Sequence, residues 1–593
     1  MATENNANSA GKCGTGTGTG NTDGAKVCDV VFKENVYSTV CPGCGFGCGV
    51  YMREIMTDVP TGSACGAPLL HVDFRKASPV NEGKLCRFGV KLAKSFCPAE
   101  SMVDGNDTDV KTAVSKAAEI LKKTKPENIC LLSIGNATNE EHLMFMEVGK
   151  KLGVPVNTGM TGLFKAIGKL HAHTGRGVTY DDVAHAKKIY LLVDPYVSYP
   201  LLVRRLIHAK NKGAEIISFG LKEFPIADKN ILLTPEMSLY DVDFKPDADT
   251  LIISDLTPYT HAKRLAEIVE LSAGRGNPDL PGNMLFLRPF INATGAGYLS
   301  KHTKQKSFDD ILAGIDDGSI KVLYCLESDL IDICLNDHIK EAFKNLDALI
   351  IQSSRYTSSC NEAGIVIASE PFYKKKGSVM NSEGRLINLS TAAGETLLTG
   401  FNALSDMLTV LGAKPMTFDE AHQKVLNMLG ATDDEFKIQP PEKKNKPAVL
   451  KISGNLPNIT TNADLSGGPE APSSFVSSSS VKAVQVSNEV NLKHVYLMNP
   501  FLWNNMEDED FFEISRCQVK ELKLLKGFTA DVMCNCGERL KTSEFKVSPM
   551  ADGYIISWSK QVYAKAPVVD VTVKRSPTKP DEKIIVKECN IPQ

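Results

Sequence analysis

The sequence predicts an α/β protein with a small cysteine-rich domain in front and a small β domain behind. Three observations support this. Strand-like and helix-like segments alternate between about residues 100 and 430, short β-like runs follow residue 490, and three cysteines fall within eight positions near the start. Alternating strands and helices favour a mainly parallel sheet that is covered on both faces. A chain of 593 residues is long enough for several domains with their own cores.

The composition narrows the class of protein. Apolar residues make up 42% and charged residues 23%, as in ordinary globular chains, and a net charge of −3 gives no reason to expect nucleic acid. No run of about 18 apolar residues predicts a membrane span. Residues 1–30 are largely polar and rich in Gly and Thr, which predicts a disordered tail without an export signal. We therefore expect a cytoplasmic protein, either alone or within a membrane-associated complex.

The stretch "YSTVCPGCGFGCGV" carries the most specific motif. Cys41, Cys44 and Cys48 follow the pattern Cys-x2-Cys-x3-Cys, and Cys86 follows after a longer gap. Clustered cysteines in a chain without an export signal indicate metal binding rather than disulfides. Four thiolates can each bind one iron corner of a [4Fe–4S] cubane, with a single loop supplying three of them. The sequence therefore predicts a [4Fe–4S] domain at residues 31–99.

Alternatives to this site stay open. Zinc more often uses two Cys-x2-Cys pairs or Cys and His pairs, and the cysteines could also be ordinary buried side chains. Cys65 could replace Cys86 as the fourth ligand. The glycines between the cysteines, Gly45 and Gly47 among them, allow backbone amides to point at cluster sulfurs. We predict that these two glycines, together with Arg87 beside the last cysteine, contact the cofactor.

The middle of the chain is predicted to form two α/β domains. Residues 100–160 together with 321–430 make the first, and residues 161–320 make the second. Helix-like segments such as "TNEEHLMFMEVGKKLG" and "YPLLVRRLIHAKNKG" alternate with strand-like segments such as "KKIYLLVDP", "AEIISFG" and "GIVIAS". Two doubly wound parallel sheets are more plausible than one very large sheet.

The carboxy-terminal third has a different character. Residues 431–490 are rich in Pro, Lys and Ser, which predicts a linker. Short β-like runs in residues 491–593 predict a small β domain. The "KKK" run at 374–376 is interpreted as a solvated loop, and no role is assigned to Cys13, Cys28, Cys534, Cys536 or the pair His171 and His173.

The cysteine motif and several later segments resemble the molybdopterin oxidoreductase family. That family includes the large subunits of formate dehydrogenases, a homologous subunit of formylmethanofuran dehydrogenases and the large cluster-bearing subunit of respiratory complex I. Its closing piece, "G-x-L-C-x-x-G", is matched by Gly83, Leu85, Cys86 and Gly89. The segment "GIVIASEPFYKKKGSVMNSEGRLINL" is similar to the family's "ADVVLP…E…GT..N.EGR" segment. Its matching residues are Glu370, Gly377, Asn381, Glu383, Gly384 and Arg385.

This resemblance implies a β-barrel-like carboxy-terminal domain that binds molybdopterin dinucleotide, here degenerate, and it exposes three departures from catalytic members. The loop "NTGMTGLFKAIGKL", where a protein ligand to molybdenum or tungsten is expected near Gly162, has no thiol, carboxylate or serine. Phe88 stands where many members carry a lysine. At "VDPYVSYP", Asp194 would repel a cofactor phosphate and Pro195 removes an amide donor. We expect Phe88 and Phe164 to fill part of the pterin cavity.

These features predict an iron–sulfur electron-transfer subunit of a multi-subunit oxidoreductase complex. The scaffold is formate-dehydrogenase-like, its own molybdopterin (Mo or W) catalysis is lost, and no residue is assigned a catalytic role. The expected partners are redox subunits that carry flavin or further iron–sulfur clusters. Two alternatives stay open: an active molybdenum or tungsten formate or formylmethanofuran dehydrogenase, and a non-redox structural subunit.

Overall fold

The structure is a computed structural model. It describes residues 32–57, 69–158, 178–247, 249–255, 264, 267–268, 270–271, 283–300, 303–306, 308–333, 338–393, 395–430, 489–498, 511–524, 529–534, 539–543, 545–559 and 568–576. The predicted tail at 1–30 and the predicted linker, apart from its last two residues, lie outside the described residues.

The strands of this part of the chain are, in order, β1 (Phe32–Val40), β2 (Gly49–Thr57), β3 (Leu69–Phe74), β4 (Met102–Val103), β5 (Asn106–Asp107), β6 (Ile129–Leu132), β7 (Val156–Asn157), β8 (Lys188–Leu191), β9 (Glu215–Gly220), β10 (Lys229–Leu232), β11 (Thr250–Asp255), β12 (Met284–Leu287), β13 (Val322–Leu326), β14 (Ala348–Ser353), β15 (Ile365–Ala368), β16 (Gly377–Met380), β17 (Leu386–Ala393), β18 (Glu489–Met498), β19 (Phe512–Ser515), β20 (Ala530–Cys534), β21 (Arg539–Ser543), β22 (Phe545–Ser548), β23 (Tyr554–Ser559) and β24 (Val568–Arg575).

The α-helices are α1 (Val110–Lys123), α2 (Asn139–Leu152), α3 (Tyr180–Val183), α4 (Pro195–Ser198), α5 (Pro200–Asn211), α6 (Ala293–Leu299), α7 (Phe308–Asp316), α8 (Leu330–Ile333), α9 (His338–Phe343), α10 (Thr399–Val410), α11 (Phe418–Leu429) and α12 (Arg516–Glu521). Short 3-10 helices are η1 (Gly89–Ser95), η2 (Pro126–Asn128), η3 (Leu239–Asp241), η4 (Ser358–Asn361) and η5 (Phe372–Lys374). No helix among the described residues is both long and apolar enough to cross a bilayer.

The amino-terminal sheet is antiparallel and has the order β16-β17-β1-β2-β3. The loop between β1 and β2 carries the three clustered cysteines. Strands β16 and β17 come from a segment that the sequence analysis placed in the first α/β domain, and they pair here instead. Local sequence patterns do not reveal which sheet a strand joins, so the domain bounds stay a prediction.

Two further sheets form the α/β centre of the molecule. One has the order β5-β4-β15-β14-β13-β6-β7, in which β15 to β7 are parallel and β4 and β5 form an antiparallel edge. The other, β10-β9-β8-β11-β12, is parallel throughout. The predicted α/β fold is therefore confirmed.

Helix boundaries in this region follow local chemistry. Helix α2 begins with a capping box, because Thr138 accepts from the amide of Glu141 while the Glu141 carboxylate accepts from the amide of Thr138. It ends at Gly153, whose φ of 74° is the left-handed conformation that glycine adopts without strain. Its buried face packs against α10 and α11 and against the parallel sheet.

The carboxy-terminal region is a mixed seven-stranded sheet of order β21-β20-β24-β18-β23-β19-β22. Strands β21 and β22 stand at its two edges in the described pairing, so closure into a barrel stays a prediction. This sheet docks onto the second α/β sheet: the amide of Ala551 donates to the carbonyl of Leu221 at 2.9 Å, and Trp558 packs with Val197 in a shared apolar cluster.

Candidate functional site

The four predicted ligand cysteines come together between β1 and η1. Cys41, Cys44 and Cys48 lie in the β1–β2 loop and expose at most 8% of their surface, whereas Cys86, just before η1, is half-buried. All four belong to the apolar cluster that also contains Phe46. The structure thus gathers thiols that are separated by almost forty positions in the sequence.

Electrostatics makes this quartet unfavourable as free thiolates. Burial raises the pKa of Cys41 to about 12, and the charge of Cys86 adds to the effect. Burial also raises the pKa of Cys48, and the neighbouring charges of Cys44, Cys41 and Cys86 raise it further. Four thiolates, three of them buried, need positive charge among them, which iron ions supply. The donor set therefore fits a [4Fe–4S] cubane.

Backbone amides surround the sulfurs. The amide of Gly89 donates to Sγ of Cys86 at 3.3 Å, and the amides of Gly89 and Phe88 partly offset the rise that burial causes in the pKa of Cys86. Such donors stabilise sulfur charge and tune the potential of a bound cluster. No three His, Cys, Asp or Glu side chains of the described residues converge as ligands of one metal ion do. A cubane makes a different demand, since each thiolate binds its own iron.

The two predicted glycines are required for close packing. The amide of Gly45 donates to the carbonyl of Arg288 at 2.9 Å, and a side chain on Gly45 would collide with that carbonyl. Gly47 has a φ of 80°, and a Cβ there would lie 2.7 Å from Cβ of Asn381. The amide of Gly45 is thus engaged by the protein backbone. A cofactor contact by either glycine stays a prediction.

Arg87 and Phe88 are adjacent in sequence but lie in different environments, Arg87 in solvent and Phe88 in the core. Arg87 is exposed, and its guanidinium lies 4.5 Å from the centre of the Phe88 ring. Phe88 exposes 2% of its surface and packs in the apolar cluster of the cysteines, and its filling of a pterin cavity stays a prediction. The cofactor contact predicted for Arg87 stays a prediction. Several other candidates lie outside the described residues: Cys13, Cys28, Cys65, Gly162, Phe164, His171, His173 and Cys536.

The family-like "NSEGR" segment holds the cysteine loop. The side-chain amide of Asn381 donates to the carbonyl of Phe46 at 3.1 Å, and Glu383 accepts from the amide of Tyr180 at 2.8 Å. The Tyr180 hydroxyl also donates to Phe46, and the two rings stack with centres 3.9 Å apart. Arg385 donates to Glu383 at 2.6 Å and fixes its carboxylate. This segment therefore holds the cysteine loop through the hydrogen bond of Asn381 to Phe46 and that between Glu383 and Tyr180.

Asn81 is a site residue that the sequence analysis missed. Its buried side chain accepts from the amide of Gly49 at 2.9 Å, and it donates to the carbonyls of Gly49 and Lys84 at 3.0 and 2.8 Å. It thereby ties the backbone next to Cys48 to the turn before Cys86. A single asparagine in a turn carries no sequence signal for this role, because its partner lies 32 positions away.

The turn at Asp194 lies where the family resemblance predicts a phosphate of the cofactor, and its contacts show whether a phosphate fits there. The Asp194 carboxylate accepts from the amides of Tyr196 and Val197 at 2.9 and 3.2 Å, so it takes the donors at the start of α4. Nζ of Lys222 lies 2.5 Å from this carboxylate and 2.8 Å from that of Glu513, on the carboxy-terminal sheet. A phosphate would meet a carboxylate there instead of free amides. The residues of this turn therefore do not fit a cofactor phosphate.

The buried cation at this turn is fully engaged. Burial alone would lower the pKa of Lys222, but Asp194 and Glu513 outweigh it and hold that pKa above its usual range. Glu513 also accepts from the Trp558 indole at 2.9 Å and the Ser548 hydroxyl at 2.7 Å. The adjoining cavity has a volume of about 40 Å³.

The interpretation of "KKK" as a solvated loop is wrong. Lys375 is fully buried among three carboxylates, and Lys374 is half-buried beside a carboxylate of β2; only Lys376 is exposed. The partners of Lys375 are Glu141, Glu327 and Glu370. These acids come from distant segments, so a run of lysines alone gave no sign of them.

Comparison with known proteins fits this geometry. Residues 34–96 match the family described as "Molybdopterin oxidoreductase Fe4S4 domain". Over 202 residues the chain is 28% identical to a protein of Methanocaldococcus jannaschii named "F420-dependent formate dehydrogenase subunit alpha", an alignment that covers 31% of this chain and 28% of that protein. A Methanococcus maripaludis protein named "F420-dependent formate dehydrogenase 1 subunit alpha" is 27% identical, with 32% and 29% covered.

The fold has a counterpart among solved structures. "Acetylene Hydratase from Pelobacter acetylenicus" superposes with a TM-score of 0.54 at 12% identity, covering 88% of this chain and 93% of that one. The fold is thus similar to that of the acetylene hydratase, and the cysteine site lies in the part of the chain that matches the Fe4S4 family model. The amino-terminal region matches a molybdopterin oxidoreductase Fe4S4 domain, so the predicted resemblance is confirmed. These findings support a [4Fe–4S] cluster and are compatible with a molybdopterin. The alignments span less than a third of the curated relatives' length.

Proposed function

We propose that this chain is an iron–sulfur electron-transfer subunit of a multi-subunit oxidoreductase, on a formate-dehydrogenase-like scaffold without molybdopterin catalysis of its own. Cys41, Cys44, Cys48 and Cys86 hold the cluster. Its partners carry flavin or further clusters, its location is cytoplasmic, and its carboxy-terminal sheet is a degenerate dinucleotide-binding barrel. The relatives support this assignment, because their names are those of alpha subunits of formate dehydrogenases.

The buried thiol quartet carries the proposal. A bound [4Fe–4S] cluster takes up and releases one electron at a time. The chain's own residues fix the conditions for this: three sulfurs are shielded from water, and Cys86 faces the surface more closely. The amides of Gly89 and Phe88 lie against the Cys86 sulfur, where they favour the more negative, reduced state. The geometry is that of a relay with one side close to solvent.

Loss of pterin catalysis is supported by side chains that stand where cofactor groups would be expected. The Asp194 carboxylate accepts from two amides that a phosphate would need, and Lys222 is already shared between Asp194 and Glu513. Phe88 is an apolar side chain packed in the core beside the cluster ligands. The loop expected to hold a metal ligand contributes no thiol, carboxylate or serine.

One observation favours a second candidate, an active molybdenum or tungsten formate or formylmethanofuran dehydrogenase subunit. The relatives are named as subunits of formate dehydrogenases, and their similarity extends over about 200 residues, beyond the cluster domain. On that reading, the phosphate-binding groups of the cofactor sit elsewhere than at the Asp194 turn. A third candidate, a non-redox structural subunit, needs a quartet that holds zinc or an inert cluster.

Metal and pterin analysis of the native, anaerobically purified protein separates the three. We expect about four iron atoms per chain, no molybdenum or tungsten, no fluorescent oxidised pterin, and a cluster that dithionite reduces. Molybdenum or tungsten with pterin would establish the catalytic alternative instead. Zinc, or iron that dithionite does not reduce, would establish the structural one.

A further inference from the structure

The surface over Cys86 has a charge that contrasts with the rest of the chain. Lys84, Arg87, Lys91 and Lys94, here called the basic strip, are all exposed. No acidic residue occurs between residues 83 and 99, whereas the whole chain carries a net charge of −3. Four positive charges are therefore concentrated on the side where the ligand set comes closest to solvent.

The geometry of η1 holds this strip in place. The helix begins at Gly89, whose amide donates to Sγ of Cys86, so the first turn is anchored on a ligand. Side chains three positions apart eclipse each other in a 3-10 helix, which places Lys91 and Lys94 on one face. Leu92 and Ser95 are buried on another face. The lysines are thus presented to solvent by a helix that is packed on the cluster domain.

The lysines of the strip are not neutralised locally. Lys84, Lys91 and Lys94 form no ion pair with any residue that the structure describes, and the neighbouring acid, Glu82, already pairs with Arg204 at 2.6 Å and with Arg205 at 3.2 Å. Beside the lysines, Val90 exposes 55% of its surface. An apolar contact framed by such lysines is suited to a protein with an acidic surface.

From these observations we infer that the basic strip is the docking surface for an acidic redox protein that exchanges electrons with the cluster. The inference rests on the proposed function and adds the place and the charge of the partner. An electron passes between the reduced centre of one protein and the oxidised centre of the other, and no bond forms or breaks. Opposite charges accelerate such encounters by about 10- to 1,000-fold at low salt.

The test uses the full-length protein with its cluster and two probes of opposite charge, an acidic plant-type [2Fe–2S] ferredoxin and the basic cytochrome c. Stopped-flow absorbance gives the second-order rate constant of electron exchange, with each pair mixed in its downhill direction. The charge variant is Lys91→Glu with Lys94→Glu. The matched control, Lys111→Glu with Lys122→Glu, makes the same charge change on exposed positions of α1.

With ferredoxin, we expect the strip variant to react at least tenfold more slowly than the wild type at low salt. The control should stay within about twofold, and the difference should shrink as salt shortens the range of the charges. With cytochrome c, the strip variant should react faster than the wild type. Iron content and the spectrum of the reduced cluster show that the variant has retained its site.

Two outcomes would count against different claims. Equal ferredoxin rates in the strip and control variants, with a cluster that dithionite reduces, would overturn the docking surface and leave the electron-transfer function standing. A cluster that neither dithionite nor reduced ferredoxin reduces would overturn the electron-transfer function, and the docking surface with it.

Discussion

The cysteine site and the Asp194 turn are both places where the family resemblance predicts a cofactor group, yet they differ in what their donors contact. At the cysteine site, the charges of the neighbouring cysteines raise the pKa of the buried Cys48 thiol, and the amide of Gly89 donates to Sγ of Cys86. At the turn, Asp194, Lys222 and Glu513 satisfy one another. The first region gathers donors that suit a cationic group, whereas the side chains of the second region satisfy one another.

The difference shows that, within one fold, one site can require a bound metal while another is stabilised by its own side chains. Deprotonation of these buried thiols is unfavourable unless metal binds the resulting thiolates. A buried lysine between two carboxylates is complete as it stands, and it joins the second α/β sheet to the carboxy-terminal sheet. Metal should therefore affect the first region strongly and the second hardly at all.

The largest effect is expected from Cys48→Ser. A hydroxyl is a poor iron ligand, and Cys48 interacts electrostatically with the other three cysteines, so the cluster should be lost and iron should fall from about four atoms per chain to near zero. Colorimetric iron and sulfide assays check this. Cys97→Ser, at an exposed cysteine of the same domain, should leave iron unchanged. Equal iron content in both variants would mean that the quartet is not the ligand set.

Removal of Lys222 should have the next largest effect. In Lys222→Met, two buried carboxylates lose their shared cation, which costs about 3–5 kcal/mol of unfolding free energy. Urea denaturation measures this cost, with Lys212→Met at an exposed position as the control. Adding Asp194→Asn and Glu513→Gln removes the unpaired charges and should restore much of the loss. An unchanged urea midpoint in Lys222→Met would show that this lysine does not stabilise the buried carboxylates of the turn.

The sequence revealed the first region and only part of the second, for a physical reason. Cysteine spacing is a local pattern that a cubane imposes, so four candidate ligands could be named before their convergence was known. The presence of Asp194 at a turn was also visible. Its partner Glu513 lies more than 300 positions away, and the burial of Lys375 among three glutamates was hidden in the same way. Ion pairs between residues that are distant in the sequence leave no local pattern that could be detected.

Asn81 belongs to the cysteine site, but its long-range contacts were not visible in the sequence. Its removal should weaken the cysteine site moderately. Asn81→Ala breaks three hydrogen bonds to Gly49 and Lys84 and leaves their backbone groups unpaired, which costs about 1–3 kcal/mol. We expect the folded variant to bind its cluster but to lose it several-fold faster to an iron chelator, as followed by visible absorbance. Asn106→Ala, at an exposed asparagine, is the control. Equal loss rates would show that Asn81 does not position the ligands.

The smallest effect concerns acid stability. Burial alone would raise the pKa of Glu513, but Lys222 outweighs it and holds the folded value below the usual 4.5. A carboxyl of this kind stabilises the fold above its unfolded pKa, and that contribution is lost as the pH falls through the folded value. Between these two values the unfolded chain binds one more proton, so stability falls by up to about 1.4 kcal/mol for each pH unit.

Urea midpoints of the wild type should therefore decline more steeply below pH 4.5 than those of Glu513→Gln, which lacks this titration. Glu215→Gln, at an exposed carboxyl of β9, should follow the wild-type profile because no comparable ion pair is removed. Cluster content should not alter the difference between the profiles, since the Asp194 turn is satisfied without a cofactor. Parallel profiles for the wild type and Glu513→Gln would mean that Glu513 is no more acidic in the folded protein than in the unfolded chain.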